Sequence, residues 1–446
     1  MRIIISSHPR LKAEAHNGVK PVSMRLSQLV TTYWAYAAAL VVRGLELVGK
    51  FGLYMLAARI LGAHESGLFF LCMTWIGLVA TISRAGFEKA IIRHMAGEMA
   101  LGRTRDARRA MLTGLGWTTL GGVLATGLTI LFAEPLSIHL FSEPDLVLPL
   151  KIAAAVILPQ ALCVVVGSAL SGYHRVVAAQ FIQNGLWPIV TLAAVGLGAR
   201  SLNAMLMALG ASYVVAILVG VGLILMQKPA EQVQGDLVPD ALPALWRTAI
   251  PLGIVEVVQM SLNSIPVLVL GVFGTPTDVG AFSVANRISL LISVLVVSIG
   301  TIAAPSFASL HRRGEIVALR ALNRRVRLVV ALCGVPAIAV MLLAPVQLLH
   351  LIGPGFEIGA SALMVMSIGQ LVYCLFPNQD IVLAMTGHGN VLRWLNIAQF
   401  VTCCALAFAL IPPFGMMGAA VLACIVVSQG ALGTAIALRR LLPAAY

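Results

Sequence analysis

The sequence predicts an all-α polytopic membrane protein with about twelve transmembrane helices in two parallel six-helix repeats around a central cavity. Its 446 residues are 59% hydrophobic and 11% charged, with a mean hydropathy of +0.96. Apolar runs of about 20 residues recur along the chain, and backbone polar groups in hydrocarbon must be satisfied within such runs. Since average soluble domains are roughly one-quarter charged, a soluble fold is excluded.

Charged residues, glycines and prolines mark the ends of the apolar runs and so set the limits of the predicted spans. These are 29–58, 67–92, 110–132, 149–171, 178–198, 202–226, 246–272, 279–306, 326–349, 357–385, 392–412 and 415–438. The polar stretch with Pro229, Gly235 and Pro239 separates two sets of six. The predicted domains are a basic tail at 1–28, a bundle at 29–226, a linker at 227–245, a bundle at 246–438 and a tail at 439–446.

Lys and Arg sort to one side of the predicted membrane. Most of the 30 lie in the tails and in alternate loops, while the opposite loops hold only Arg59, Lys151 and Arg200. This asymmetry predicts that both termini of an inner-membrane protein lie in the cytoplasm, and it accounts for the net charge of +13 without nucleic acid as a partner. The first 28 residues lack the apolar stretch of a signal peptide, and Met24 is an alternative start to Met1.

Short motifs repeat between the two predicted halves. Gly67-Leu68-Phe69 in the first half is echoed by Gly280-Ala281-Phe282 in the second, and a basic loop follows each motif. Because six spans is an even number, both halves insert with the same orientation, related by an axis along the membrane normal. Such a duplication predicts a substrate site between the two bundles, complete in a monomer.

A polar stripe runs along the first predicted span. Arg43, Glu46 and Lys50 are spaced at i, i+3 and i+7, so they share one face of a helix. Arg43 lies about 14 residues into the span, roughly 21 Å along a helix, which predicts a place near the bilayer centre. We expect the stripe to line the cavity; the alternative is a self-neutralising pair of Arg43 and Glu46 at a helix contact.

Three further cations lie inside predicted spans. Arg84, followed by Glu88 and Lys89, is near the inner end of the second span, where long side chains reach water; a role in an inward-facing binding site is the alternative. Asn286 and Arg287 lie near the outer end of the eighth span, as a second anion contact or as residues that reach the surface.

The second half has polar residues of its own within its spans. Glu256, Gln259 and Asn263 form a stripe between two prolines, on the helix that the repeat equates with the first span. Gln379 and Asp380 follow Pro377, which interrupts the tenth span and frees backbone carbonyls beside a carboxylate. Asp380, Glu46 and Glu256 are therefore candidates for ion coupling, with a solvated kink as the alternative for Asp380.

Two loop patterns resemble a known family. The first runs from Ala58-Arg59-Ile60-Leu61-Gly62 through Glu65 to Gly67 and Phe69, and the second is Ser83-Arg84-Ala85-Gly86-Phe87. Together with the duplication they resemble the polysaccharide-transporter branch of the multidrug/oligosaccharidyl-lipid/polysaccharide exporter superfamily. The resemblance implies a flippase for a polyprenyl-diphosphate-linked oligosaccharide, used in O-antigen, capsule or exopolysaccharide assembly. It also implies contact with membrane lipids and with glycan polymerase and export machinery.

Charge type favours an anionic substrate. We expect Arg43, Lys50, Arg287 and Arg84 to bind the head group, because arginine pairs with phosphate oxygens and keeps its charge when buried. The neutral lining for the sugars would be Gln259, Asn263, Asn286 and Gln379, beside Glu46 and Glu256. No enzyme motif, metal site or cofactor fingerprint is apparent, and the seven cysteines form no CxxC pair. The alternatives are a cation-coupled drug or metabolite antiporter of the same superfamily and a membrane enzyme of glycan assembly.

Overall fold

The computed structural model describes residues 26–227 and 244–443, with side chains from residue 41 onward. The two candidate start residues, nearly all of the basic tail and most of the linker lie outside these residues. Every regular element in the described ranges is helical. Ten helical segments there are long and apolar enough to cross a membrane, and two of them each contain two spans.

The first half contains six spanning helices. Segment Leu26–Arg84 is broken at Gly62, whose φ of 75° and ψ of 178° are not helical, so α1 is 26–61 and α2 is 63–84. The others are α3 (Thr104–Leu140), α4 (Pro144–Gly172), α5 (Val176–Gly196) and α6 (Leu202–Leu225). A separate helix, Phe87–Ala100, follows α2 after a turn.

Six more spanning helices form the second half. They are α7 (Leu245–Phe273), α8 (Pro276–Arg312), α9 (Ile316–Leu343) and α10 (Glu357–Leu375), followed by α11 (389–414) and α12 (416–441). The last two are arms of one segment that bends at Gly415, where φ is 51° and ψ is −129°. The predicted fold of about twelve helices is thereby confirmed.

Several predicted boundaries are corrected by backbone geometry. The second span ends at Arg84 rather than at residue 92, because Ala85 and Gly86 both have positive φ and start a new helix. The tenth ends at Leu375 rather than at 385, because Pro377 lacks an amide proton and Asn378 is left-handed, with φ 57°. The ninth begins at Ile316, ten residues before the predicted start, since its basic stretch is itself helical.

Each half is organised around one central helix. In the first half α4 packs against the α1–α2 segment, α3 and α6, and in the second half α10 packs against α8, α9 and the α11–α12 segment. α4 and α10 are the fourth spans of their halves, so the duplicated sequence gives duplicated packing. The α1–α2 segment also contacts α7 and α8 and thereby joins the halves.

At one end of α2 the two halves meet backbone to backbone. A Cβ on Gly67 would overlap the carbonyl oxygen of Pro276 and lie 3.1 Å from the Gly280 nitrogen, and a Cβ on Gly280 would overlap the Ala63 carbonyl. The repeated motifs found in the sequence therefore pack against each other. Their aromatic members, Phe69 and Phe282, are both fully buried. We call this the Gly67–Gly280 contact.

At the other end of α2 a second close contact joins the halves. A Cβ on Gly253 of α7 would lie 2.5 Å from the Ala85 carbonyl carbon, and one on Gly86 would overlap the backbone of α7. His94 lies 3.2 Å from the Thr248 hydroxyl beside it. Burial, with the nearby Arg93 charge, lowers the pKa of His94, so the ring is neutral at pH 7. We call this the Gly86–Gly253 contact.

Gly67→Val is expected to force the halves apart at the Gly67–Gly280 contact. Overpacking costs about 1–3 kcal/mol, which shifts an open–closed equilibrium by about 5- to 150-fold. The measurement is maleimide labelling of Asn263→Cys, a cavity position, in a variant without the native cysteines. Gly127→Val is the matched control, because a Cβ at Gly127 meets nothing within 4 Å. Equal labelling rates in the two variants would contradict the expectation.

Candidate functional site

A cavity of about 370 Å³ lies between the two halves. It is lined by residues of α1, α2 and α4–α8 and lies between the two glycine contacts. Three of the described lining residues are cationic, namely Lys50, Arg84 and Arg287, and none is acidic. The cavity therefore favours an anion.

Arg287 of α8 is held by aromatic rings of the first half. Its guanidinium carbon lies 3.5 Å from the ring centre of Tyr54 and 4.7 Å from that of Phe70. Among the described residues no carboxylate comes within 4.0 Å of it, and its buried Nε has no hydrogen-bond partner. A cation over an aromatic face is stabilised by about 2 kcal/mol when desolvated, yet its charge is not cancelled. Arg287 thus presents an uncompensated positive charge to the cavity.

Lys50 belongs to a polar network between α1 and α5. Glu46 accepts hydrogen bonds from Arg43 at 3.0 Å, from Lys50 at 2.9 Å and from Gln180 at 3.0 Å. Lys50 also donates to Asn184 at 2.9 Å. The stripe seen in the sequence therefore forms a set of ion pairs with a net charge of +1.

Arg84 is buried, although the sequence favoured a side chain that reaches water. It is 7% exposed, donates to the Thr81 hydroxyl at 2.9 Å and lies 3.5 Å from a Glu88 carboxylate oxygen. Helix α2 ends here, and the turn that follows directs the chain away, so the side chain stays among packed helices. Arg84 therefore faces the cavity with its charge balanced by Glu88.

Arg43 lies off the central cavity. It precedes the break at Gly62 by about 19 residues, roughly 28 Å of helix and nearly the whole thickness of a bilayer core. Arg43 also follows the start of α1 at Leu26 by 17 residues, so it lies near the middle of this helix and its depth in the bilayer stays a prediction. Arg43 is 47% exposed and lines an adjoining groove of about 540 Å³ between α1 and α8.

The groove beside Arg43 connects the cavity with an apolar surface. It shares Lys50, Tyr54 and Arg287 with the cavity, and it shares Phe51 and Leu291 with a further groove of about 650 Å³. Apart from Arg59, that further groove is lined by apolar side chains of α1, α8, α9 and residues 348–352 after α9, including Met55, Leu56 and Met341. A charged site and an apolar trough are thus continuous along the α1–α8 seam.

The predicted neutral residues separate into two groups. Asn263 and Asn286 line the cavity, and both also line an adjoining pocket of about 170 Å³ together with Gln259. Gln379 instead is fully buried, with its amide nitrogen 2.8 Å from the Pro377 carbonyl oxygen. Gln379 therefore does not line the cavity, because the break before it turns its side chain into the second half.

The remaining predicted carboxylates also lie away from the cavity. Glu256 is 3.9 Å from Lys89, in an ion pair that crosses between the halves beside the Gly86–Gly253 contact. Asp380 is exposed near the start of the short helix Gln379–Met385. Of the three candidates for ion coupling, Glu46 alone is bonded to a residue of the cavity wall.

Several cavity residues were missed from the sequence. Gln160 of α4 and Gln183 and Asn184 of α5 line the cavity, and the Oε1 of Gln160 is buried without a partner among the described residues. Gln183 and Asn184 lie in a π-helical turn, Phe181–Leu186. Such turns are common at functional sites. In the sequence, the two adjacent amide residues Gln183 and Asn184 within an apolar span were the feature that could have indicated this part of the site.

The chain was compared with known proteins. Residues 32–311 match the family described as "Polysaccharide biosynthesis protein". A probable flippase, AglR, of Haloferax volcanii is 27% identical over 181 residues, 39% of this chain and 37% of that protein. The match thus spans little more than a third of the relative's length.

Two solved structures share the fold. An inward-facing multidrug resistance MATE family transporter of the MOP superfamily has a TM-score of 0.74 at 16% identity, covering 91% of this chain and 98% of that chain. The lipid II flippase MurJ in an inward closed conformation has a TM-score of 0.73 at 12% identity, covering 91% and 87%. At these identities the likeness shows the fold: that of a multi-pass membrane transporter of this superfamily.

Glu46→Gln is expected to destabilise the protein by about 1–3 kcal/mol, because it leaves the partly buried Lys50 without its counter-charge. Adding Lys50→Met should recover part of this loss, since the unpaired charge is then gone. Unfolding in mixed micelles by denaturing detergent measures both. Strictly additive losses in the double variant would show that the two side chains are not coupled.

Proposed function

Because the chain belongs to the polysaccharide biosynthesis protein family, we propose that it is a flippase for a polyprenyl-diphosphate-linked oligosaccharide. The flippase moves this lipid from the inner to the outer leaflet of a bacterial inner membrane, for O-antigen, capsule or exopolysaccharide assembly. The protein has its termini in the cytoplasm and works as a monomer, without an enzymatic step. Glycan polymerase and export machinery receive the product.

The observation that carries the proposal is the unpaired charge of Arg287 in a cavity with no acidic lining among the described residues. An unpaired charge in a membrane interior costs several kcal/mol, so a ligand of opposite charge is strongly favoured there. A diphosphate supplies that charge, and the planar guanidinium forms paired bonds with its oxygens. On the facing wall Lys50 belongs to a network with a net charge of +1, while the charge of Arg84 is balanced by Glu88.

The apolar trough along α1 and α8 supports a lipid rather than a soluble anion. It begins at Lys50 and Arg287 and continues past Phe51 and Leu291 onto aliphatic side chains. A polyprenyl chain in this trough stays in an apolar medium while its diphosphate occupies the cavity. The anionic head group of one lipid therefore matches the cationic cavity, and its apolar tail matches the trough that continues from it.

Alternating access follows from the two glycine contacts. The Gly67–Gly280 and Gly86–Gly253 contacts close opposite ends of the space between the halves, and opening one at a time admits substrate from one side. Moving each negative charge outward through an inside-negative potential of about 100 mV releases roughly 2.3 kcal/mol. A diphosphate thus crosses downhill without a coupled ion.

The alternative of a cation-coupled drug antiporter is disfavoured by the same cavity. A lipophilic cation needs acidic or uncompensated acceptor groups, and the lining offers three cations instead. Of the candidate coupling carboxylates, Glu46 and Glu256 are already paired with basic side chains.

Arg287→Ala is expected to slow transport by about 10–100-fold, as for loss of a charge-assisted contact of about 1.5–3 kcal/mol. Arg43→Ala, which removes a cation outside the cavity, should retain most of the rate. The measurement follows a fluorescent polyprenyl-diphosphate oligosaccharide across proteoliposome membranes. An equal loss of transport rate in both variants would indicate that the head group binds in the groove beside Arg43 rather than in the cavity. No crossing by folded wild-type protein would reject the flippase for that glycan, and crossing by ethidium instead would establish the antiporter.

A further inference from the structure

The pocket beside the cavity lies within the second half. Its walls come from α7, α8, α10, α11 and α12, and its volume is about 170 Å³. Among the described lining residues none is charged. Five carry an amide side chain, namely Gln259, Asn263, Asn286, Gln370 and Gln399.

Two of these amides have hydrogen-bonding atoms left over. The Oε1 of Gln370 accepts from Ser293 at 2.8 Å, and in the described chain its amide nitrogen has no partner. The Nε2 of Gln399 donates to the Val426 carbonyl at 2.6 Å, and its oxygen is likewise without one. Each residue is thus fixed by one bond, and the pocket gains fixed N–H donors at Gln370 and a fixed acceptor at Gln399.

Asn286 connects this pocket with the charged cavity. Its side chain lines both spaces and has no hydrogen-bond partner among the described residues. It also precedes Arg287 directly in α8. A ligand whose anionic group contacts Arg287 therefore has the amide pocket within reach of the next part of the molecule.

The amide lining decides among ligand classes. A cation would lack the carboxylate ligands that hard metal ions prefer, and an apolar group would leave the amides unpaired at a cost of about 1–3 kcal/mol each. A hydroxyl group both donates and accepts, so a polyol matches the mixed set. The volume is below the roughly 300 Å³ of pockets for drug-sized ligands, which limits the occupant to a single ring.

We propose that this pocket is the subsite for one uncharged sugar ring, the ring joined directly to the diphosphate of the lipid-linked substrate. The inference rests on the proposed flippase function and specifies its glycan. An acidic ring is disfavoured, because its carboxylate loses water without gaining a cation from the lining. Gln370 and Gln399 are the residues that recognise the ring, by hydrogen bonds to its hydroxyl groups.

The test measures binding rather than transport. Detergent-solubilised full-length protein is titrated calorimetrically with three soluble probes: geranyl diphosphate, geranyl-diphosphate N-acetylglucosamine and geranyl-diphosphate glucuronic acid. Wild-type protein should bind the N-acetylglucosamine probe about tenfold more tightly than either other probe, as expected for one or two neutral hydrogen bonds in an enclosed site.

Gln370→Leu and Gln399→Leu should each reduce the ratio between the affinities for the N-acetylglucosamine probe and for geranyl diphosphate from about tenfold to near one. Leucine keeps the volume of the side chain and removes the amide. Gln429→Leu is the matched control and should keep the ratio. Like Gln399, Gln429 bridges α11 and α12, donating to Thr402 at 3.2 Å, but it does not line the pocket.

Each other outcome rejects a defined part of the inference. Equal binding of the sugar-free and N-acetylglucosamine probes by wild-type protein overturns the subsite and leaves the diphosphate site intact. Equal binding of the two sugar probes overturns the restriction to uncharged rings, and a ratio unchanged in both leucine variants overturns the location. If no probe binds, the diphosphate site fails and the proposed function fails with it.

Discussion

The stacking of Arg287 on Tyr54 and Phe70 is the interaction on which the cavity depends. It joins the second half, through α8, to both α1 and α2 of the first. A carboxylate in place of the rings would hold the arginine equally well but would cancel its charge, whereas the quadrupole of an aromatic face leaves that charge available. The Arg287 side chain therefore both joins the halves and is the group proposed to bind phosphate.

The fold was predictable because hydrocarbon imposes a simple rule on the backbone. Long apolar runs must be helical, and a duplicated motif at Gly67 and Gly280 revealed the two halves. Span ends were less predictable, since they depend on backbone dihedrals and not on polarity. Asn378 is left-handed within a stretch that reads as one helix, and the basic start of α9 is helical although its composition resembles a loop.

The site was only partly predictable. Charged residues in spans are rare, so Lys50, Arg84 and Arg287 could be found, but the place of Arg43 in a groove beside the cavity depends on how α1 and α8 pack. Neutral amides give a weaker signal, because they also serve helix packing in membranes. Gln399 and Gln429 look alike in the sequence, and both bridge the same two helices; the shape of the space beside them is what separates a pocket residue from a packing residue.

Gene duplication usually leaves two copies free to diverge, because one copy can keep a function while the other changes. At the Gly67–Gly280 contact that freedom is absent, because each glycine leaves room for the other half's backbone. A side chain gained in one copy cannot be offset by the glycine retained in the other. Here the duplicated halves constrain each other's evolution, while the amide pocket, built from one half alone, is free to change with the glycan proposed for it.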